Sequence, residues 1–452
     1  MTDTIRLRPA AGEADDPALA EPPPARDDAI GRIVGLDVAR AIAVLGMYYS
    51  HVGPWPKSEG LTWESFLMDL PHGRSSALFA TLAGLSLVLI AGGHRPKTGR
   101  SLRQAVVKIA IRAVLLLALG TWLTATGTSI VVILAFYGLY FLFALPFIKL
   151  RARTLAILAV VFGIGGPFLS QWLWTVNTSW MEGFTGDDPL ANWGGDGVLS
   201  LALNGTYPAV SWMAYVFAGM ALGRLDLAQK AVRIRLAIIG PALGLIGYGG
   251  SWLIGKLAPA PSVGKATADA SEWKAFDQAM SAALAGTDSK NWTAEEWKAW
   301  DAEHASIYDK MPVDASTTGG GSFDWAALVG ASPHSGTPFE LAGNIGVAIA
   351  IITALVALLG MGGKAGSRLR FWFGPLIAVG SMSLTVYVAH IAAVWYLVDK
   401  PANGVGYATG WRMWAVFAVG AVLFALIWKR FLKRGPLEWV MWAATKPAKF
   451  VK

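Results

Sequence analysis

Cysteine is absent from this chain of 452 residues. That removes disulfides from any external loop and excludes a thioester on the protein, so acyl chemistry here is direct or passes through another nucleophile. Charge is scarce too. Charged residues make up 15% of the chain against 54% hydrophobic, and the mean hydropathy is +0.46. Soluble domains carry about a quarter charged residues, so a soluble domain is excluded, and the apolarity is spread too evenly for a single anchor. The six histidines, at 51, 72, 94, 304, 334 and 390, lack the paired spacings of a zinc site on one helix, and no metal is expected. Residues 1–31 lack the charged start, apolar middle and cleavage site of a signal peptide. They read as a disordered cytoplasmic tail, and the first apolar segment is expected to stay in the mature protein.

What the chain does have is a succession of apolar runs of span length. They fall at 34–52, 74–93, 104–124, 129–149, 154–172, 207–223, 235–257, 339–361, 371–397 and 411–428. The expected fold is all-α, a polytopic membrane helix bundle of about ten spans. Lys and Arg gather at 94–103, 149–153, 224–235, 364–370 and 429–452, which are alternate connections. Because basic residues stay on the cytoplasmic side of short loops, both termini are expected in the cytoplasm of a plasma-membrane protein. The net charge of +8 follows from that bias and from attraction to anionic membrane lipids, and calls for no nucleic acid. The expected parts are the tail 1–31, a first bundle portion 32–257, an extracytoplasmic helical insert 258–338, a second bundle portion 339–428 and a basic amphipathic tail 429–452.

The first run, RIVGLDVARAIAVLGMYYSHVGP, carries Asp37, Arg40 and His51. At about 100° per residue, Arg40 and His51 lie within roughly 20° of each other and Asp37 within about 60° of Arg40. One polar stripe is therefore expected to climb the helix. Its Arg40 to His51 step is roughly 16 Å, around half the apolar thickness of a bilayer. Ionisable groups at that depth are costly, which points to a functional path facing the bundle interior; the plainer alternative is an Asp37/Arg40 pair that pins the helix to its neighbours. In the insert, Thr293-Ala-Glu-Glu296 has the form of a capping box and Trp297, Trp300 and His304 follow at helical spacing. Such an insert either packs as a cap over the bundle or selects an acceptor through its aromatic rings.

Several segments resemble the transmembrane acyltransferase superfamily, whose branches include heparan-alpha-glucosaminide N-acetyltransferase and the bacterial membrane O-acyltransferases. The resemblance rests on Asp37-x-x-Arg40 followed eleven residues later by His51, on GRSSALFATLAGLSLVLIAGG at 73–93, and on Arg103, Lys108 and Arg112 at the start of the third span. GSMSLTVYVAHI at 380–391 and RGPLEWVMW at 434–442 complete it. It implies transfer of an acyl group, acetyl or longer, from cytoplasmic acyl-CoA to an extracytoplasmic sugar, glycolipid or envelope lipid. The Arg40 to His51 step matches the O-acyltransferase branch, which favours His51 as general base; the external-loop His of the heparan branch leaves His72 as the second choice. Arg74 would steady an oxyanion or snorkel to headgroups. Lys108 and Arg112, one helical turn apart, and Arg103 are expected to hold the nucleotide end of coenzyme A, with His390 completing the lining. Glu438 is expected to pair with a cytoplasmic Arg and anchor an interfacial helix. The competing class is an exporter or flippase of a lipid or glycoconjugate, weakened by the lack of an inverted repeat.

Overall fold

The structure is a computed structural model that describes residues 33–54, 63–175, 188–257, 325–399 and 410–452, with short pieces between 278 and 306. The described residues are helical and contain no strand. The order is α1 (Val34–Val52), α2 (Trp63–Asp69), α3 (Arg74–Ile90), α4 (Gly99–Ala125), α5 (Leu134–Ala144), α6 (Ala152–Thr175) and α7 (Ala209–Gly223). Then come α8 (Lys230–Gly244), continued through a π turn into α9 (Gly250–Leu257), α10 (Pro338–Leu359), α11 (Gly363–Trp372) and α12 (Gly374–Gly380). The chain closes with α13 (Ser383–Val394), α14 (Trp411–Phe431) and α15 (Pro436–Ala444).

The helix that carries Asp37, Arg40 and His51 is placed largely inside the bundle. α1 is enclosed by α3, α10 and α12, and Asp37 is 4% exposed. The packing around it depends on small residues, which let backbones approach closely enough for dispersion to hold helices together without a hydrophobic gradient. Gly84 of α3 lies on the Val216 carbonyl of α7, and Gly219 of α7 lies on the Thr81 carbonyl of α3, leaving no room for a Cβ at either position. α4 and α14 instead turn large side chains outward, with Trp122, Val416 and Ile427 exposed, as expected for helices that face lipid.

Among the described residues, six helical segments are long and apolar enough to cross a membrane: Phe66–Ile90, Gly99–Ala125, Ala152–Leu173, Lys230–Leu257, Pro338–Leu359 and Trp411–Phe431. This integral membrane protein thus differs from the expected ten spans in three respects. The runs at 129–149 and 207–223 contain shorter apolar helices, Leu134–Phe147 and Ala209–Gly223. The helix bearing Asp37, Arg40 and His51 is not among the six. The expected span 371–397 is broken, with Gly374–Gly380 and Ser383–Leu397 meeting at 78°. The break has a steric cause and a polar one. Gly380 rests against the Asp37 carbonyl, which fixes where α12 ends, and the amides opening α13 are met by a carboxylate from α15. Most of the insert, including the Thr293 capping box and Trp297, lies outside the described residues; within it the Trp300 and His304 rings stack at 4.3 Å.

Candidate active site

α1 brings Met47, Ser50 and His51 to one end of the bundle. There they meet Pro71, Gly73, Ser75 and Ser76 from the turn into α3, Ile133 before α5, Tyr207 before α7, His334 before α10 and Tyr387 of α13 around one small pocket. The His51 Nδ1 is 2.9 Å from the His390 Nε2, with the two rings within 6° of parallel. His390 Nδ1 is in turn 2.5 Å from the Tyr387 carbonyl. A carbonyl only accepts, so His390 carries its proton on Nδ1 and offers a lone pair at Nε2; His51 must then donate from Nδ1. In the neutral pair the lone pair of His51 is therefore on Nε2. The second imidazole thus fixes the tautomer of the first, the arrangement by which a base is oriented in nucleophilic sites generally. His390 is clamped by Tyr48, whose ring lies 4.3 Å from it and whose hydroxyl donates to the Val386 carbonyl at 2.5 Å.

The other expected residues fall in different places. His72 is buried, its Nδ1 faces the Met68 carbonyl at 3.1 Å, and its ring meets Tyr49 edge-on at 5.9 Å; it does not line the pocket. Arg74 is also absent from the lining. Its Nη1 donates to the Asp69 carbonyl at 2.9 Å and approaches the Asp69 carboxylate at 3.4 Å, and its guanidinium lies 4.8 Å over Tyr248, so it closes the turn between α2 and α3. Asp37 and Arg40 pair at 3.0 Å, and Arg40 also donates to Ser86 of α3 at 2.8 Å. Arg103 is exposed and donates to the Lys452 carbonyl at 2.7 Å, which turns it toward the C-terminal segment. Lys108 is half-buried one turn before Arg112, whose Nε is buried with no hydrogen-bond partner among the described residues. His390 holds His51, where a donor-lining role had been expected.

Two positions near the pocket take places that the sequence did not assign them. Glu438 meets helix amides in place of an arginine: its Oε1 accepts from Leu384 N at 2.9 Å and Thr385 N at 3.1 Å, and its Oε2 accepts from the Thr385 hydroxyl at 2.5 Å. An acidic side chain at a helix N-terminus satisfies orphan amides and the dipole together. The helix it caps is the one that carries Tyr387 and His390. His334 is the second. Its sequence signal is Thr337-Pro-Phe-Glu340, a capping box opening the apolar run of α10, which places the histidine three residues before the box at the helix entrance.

Residues 32–248 match the family model of the heparan-alpha-glucosaminide N-acetyltransferase catalytic domain. Residues 302–447 match a second family, described as a protein of unknown function (DUF418). The first match supports a membrane acyltransferase whose residues 32–248 are similar to the heparan-alpha-glucosaminide N-acetyltransferase catalytic domain. No curated protein matches it. In this acyltransferase the pocket draws on both matched stretches: His51, Ser75, Ser76 and Tyr207 come from the first and His334 and Tyr387 from the second, which also supplies His390 behind His51.

Proposed function

We propose that the protein moves an acetyl group from cytoplasmic acetyl-CoA to a hydroxyl or amine of an extracytoplasmic sugar, glycolipid or envelope lipid, with His51 as general base. The observation that carries this reading is the Tyr387 carbonyl, His390, His51 relay, because it presents one defined basic nitrogen at a pocket wall. His51 Nε2 takes the acceptor proton as the acceptor attacks the thioester carbonyl. The new bond to the carbonyl carbon forms, the carbon–sulfur bond breaks, and His51 returns the proton to the departing thiolate. The thioester supplies the activated acyl group; the protein supplies orientation and the proton path.

At the cytoplasmic end, Lys108 and Arg112 hold the phosphates of the donor. Arg112 supports this assignment: a buried guanidinium nitrogen with no partner among the described residues is expensive unless a ligand meets it. Asp37 and Arg40 act by tying α1 to α3 through Ser86, which holds His51 in register with the pocket. Both termini lie in the cytoplasm of the plasma membrane, following the basic loops. The test uses purified protein in liposomes with labelled acetyl-CoA and glucosamine as the probe acceptor. Release of coenzyme A with label on glucosamine is expected. Release of none overturns the proposal.

A further inference from the structure

Across the pocket from the relay stands a histidine that the scheme above leaves unused. His334 is the one non-glycine residue among the described residues with a positive φ, at 64°. Left-handed backbone is tolerated by histidine better than by branched residues but still costs energy, and it persists only where neighbouring bonds enforce it. Here the enforcement comes from Glu340, which is 2% exposed. Its Oε1 accepts from the His334 amide at 2.8 Å and from Asn344 Nδ2 at 3.2 Å. Its Oε2 accepts from the Gly336 amide at 2.7 Å and the Ser335 hydroxyl at 3.2 Å. Four donors fill the acceptor capacity of the carboxylate. Thr337, the N-cap of α10, accepts from the Glu340 amide at 3.1 Å and donates to the Gly330 carbonyl, so the turn is fixed at its far end as well.

The ring held in this way is aimed rather than packed away. It lies within 11° of parallel to Trp212 at 6.3 Å, meets Tyr207 edge-on at 5.3 Å, and lines the same pocket as His51. It is nevertheless solvent-accessible, and neither ring nitrogen has a hydrogen-bond partner among the described residues. A ring at the pocket wall with both nitrogens unspent can offer one of them to a molecule that enters. Strain, an enforcing carboxylate and an unspent imidazole at the pocket wall coincide in one residue.

We propose that His334 is a second catalytic residue, whose ring N–H donates a hydrogen bond to the carbonyl oxygen of the acyl group as the acceptor attacks. The inference rests on the acyl-transfer reading and adds the stabiliser of developing negative charge that the reading lacks. The bonds made and broken are those already described, and the proton travels from acceptor to His51 to thiol. His334 keeps its own proton throughout. Two facts favour a donor over a second base. The basic nitrogen is already assigned by the His390 relay, and the surrounding protein together with the charge of nearby His72 keeps the His334 pKa below its ordinary value, so the imidazole works in its neutral form, with one N–H to offer. Glu340 is the matching positioning residue.

The test compares wild type, His334→Ala, His334→Gln and Glu340→Gln in liposomes with acetyl-CoA and glucosamine, alongside thermal unfolding of each in detergent. His334→Ala is expected to lower kcat by about a hundredfold or more with KM for acetyl-CoA within about threefold, as for loss of one oxyanion donor. His334→Gln, which retains an N–H donor, recovers part of that loss, and Glu340→Gln lowers kcat without raising KM. If His334→Ala does not fold, His334→Asn replaces it with the same expectation, since asparagine tolerates left-handed backbone and is too short to reach. A wild type that releases no coenzyme A overturns the acyl-transfer reading itself. An active wild type with a His334→Ala or His334→Asn variant within threefold of it overturns the role of His334 alone. His334→Gln no better than His334→Ala overturns the donor role.

Discussion

Arg40→Ala tests the element on which the placement of His51 depends. Asp37 is 4% exposed and its carboxylate is 3.0 Å from the Arg40 guanidinium, whose side chain is 25% exposed. Taking Arg40 away strips the charge partner from a carboxylate held among α1, α3 and α12, a change that costs about 3–5 kcal/mol for buried pairs. The Ser86 hydroxyl is not orphaned, because it donates to the Leu82 carbonyl at 2.6 Å. Asp37→Ala alone is milder. The partly exposed guanidinium keeps Ser86 and extends its head toward water, so the loss is about 1–2 kcal/mol. The double variant carries neither buried charge and should lose about 1–2 kcal/mol, which makes the coupling about 3–5 kcal/mol. The assay is a double-mutant cycle on unfolding in mild detergent, with coenzyme A release measured in parallel. Folding should recover in the double variant while turnover stays low, since α1 has lost its tie to α3. Stability losses that simply add would refute the claim that the pair acts as a unit.

His51→Ala should cut acyl transfer by about a hundredfold or more with little change in thermal stability, whereas His72→Ala, whose ring serves the Met68 carbonyl outside the pocket, should remain active; the reverse ranking in the coenzyme A release assay would reassign the base. Glu438→Ala should lower kcat and destabilise the protein by about 1–3 kcal/mol, because the Leu384 and Thr385 amides lose a charged acceptor at the entrance of the helix that holds His390; unchanged turnover would uncouple α15 from the site. Neutralising Lys108 and Arg112 together should raise KM for acetyl-CoA more than it lowers kcat, and unchanged donor affinity would remove them from the donor site. The fifth prediction concerns pH. The His334 pKa lies below its ordinary value of 6.5, so between the folded value and 6.5 the unfolded chain binds the extra proton. The stability this contributes is complete above about 6.5 and is lost as pH falls through that window. His334→Gln should flatten that part of the stability profile, and a profile identical to wild type would refute the assignment.

Apolar run length was enough to find the helices, since each of the runs read from the sequence contains one, but it was blind to how each helix sits in the membrane. The 371–397 run shows why. Its apolarity is continuous across Gly380, Ser381 and Met382, so hydropathy has no signal for the break. The break is set from outside the run, by the Asp37 carbonyl of α1 and by Glu438, which lies 53 residues after Thr385. Periodicity did find the Asp37/Arg40 pair, because a separation of three residues on a helix is a local fact.

The site divides along the same line. His51 was legible because an ionisable residue in an apolar helix is conspicuous in one dimension. What fits it for the proposed role of base is not: His390 stands 339 residues away, and only the fold puts its Nε2 against the Nδ1 of His51. Arg74 was conspicuous for the same reason as His51 and yet is occupied by the turn of Asp69, so rarity alone does not separate a reacting group from a brace. The separating property is whether the polar atoms of the residue are spent on the protein or kept at the pocket. By that measure His334, which has no helix pattern to draw attention to it and whose ring nitrogens have no partner among the described residues, stands apart from Arg74. The physical reason lies in Glu340. A carboxylate buried at a helix entrance spends its whole acceptor capacity on the turn before it, and the product of that expense is the direction of one imidazole.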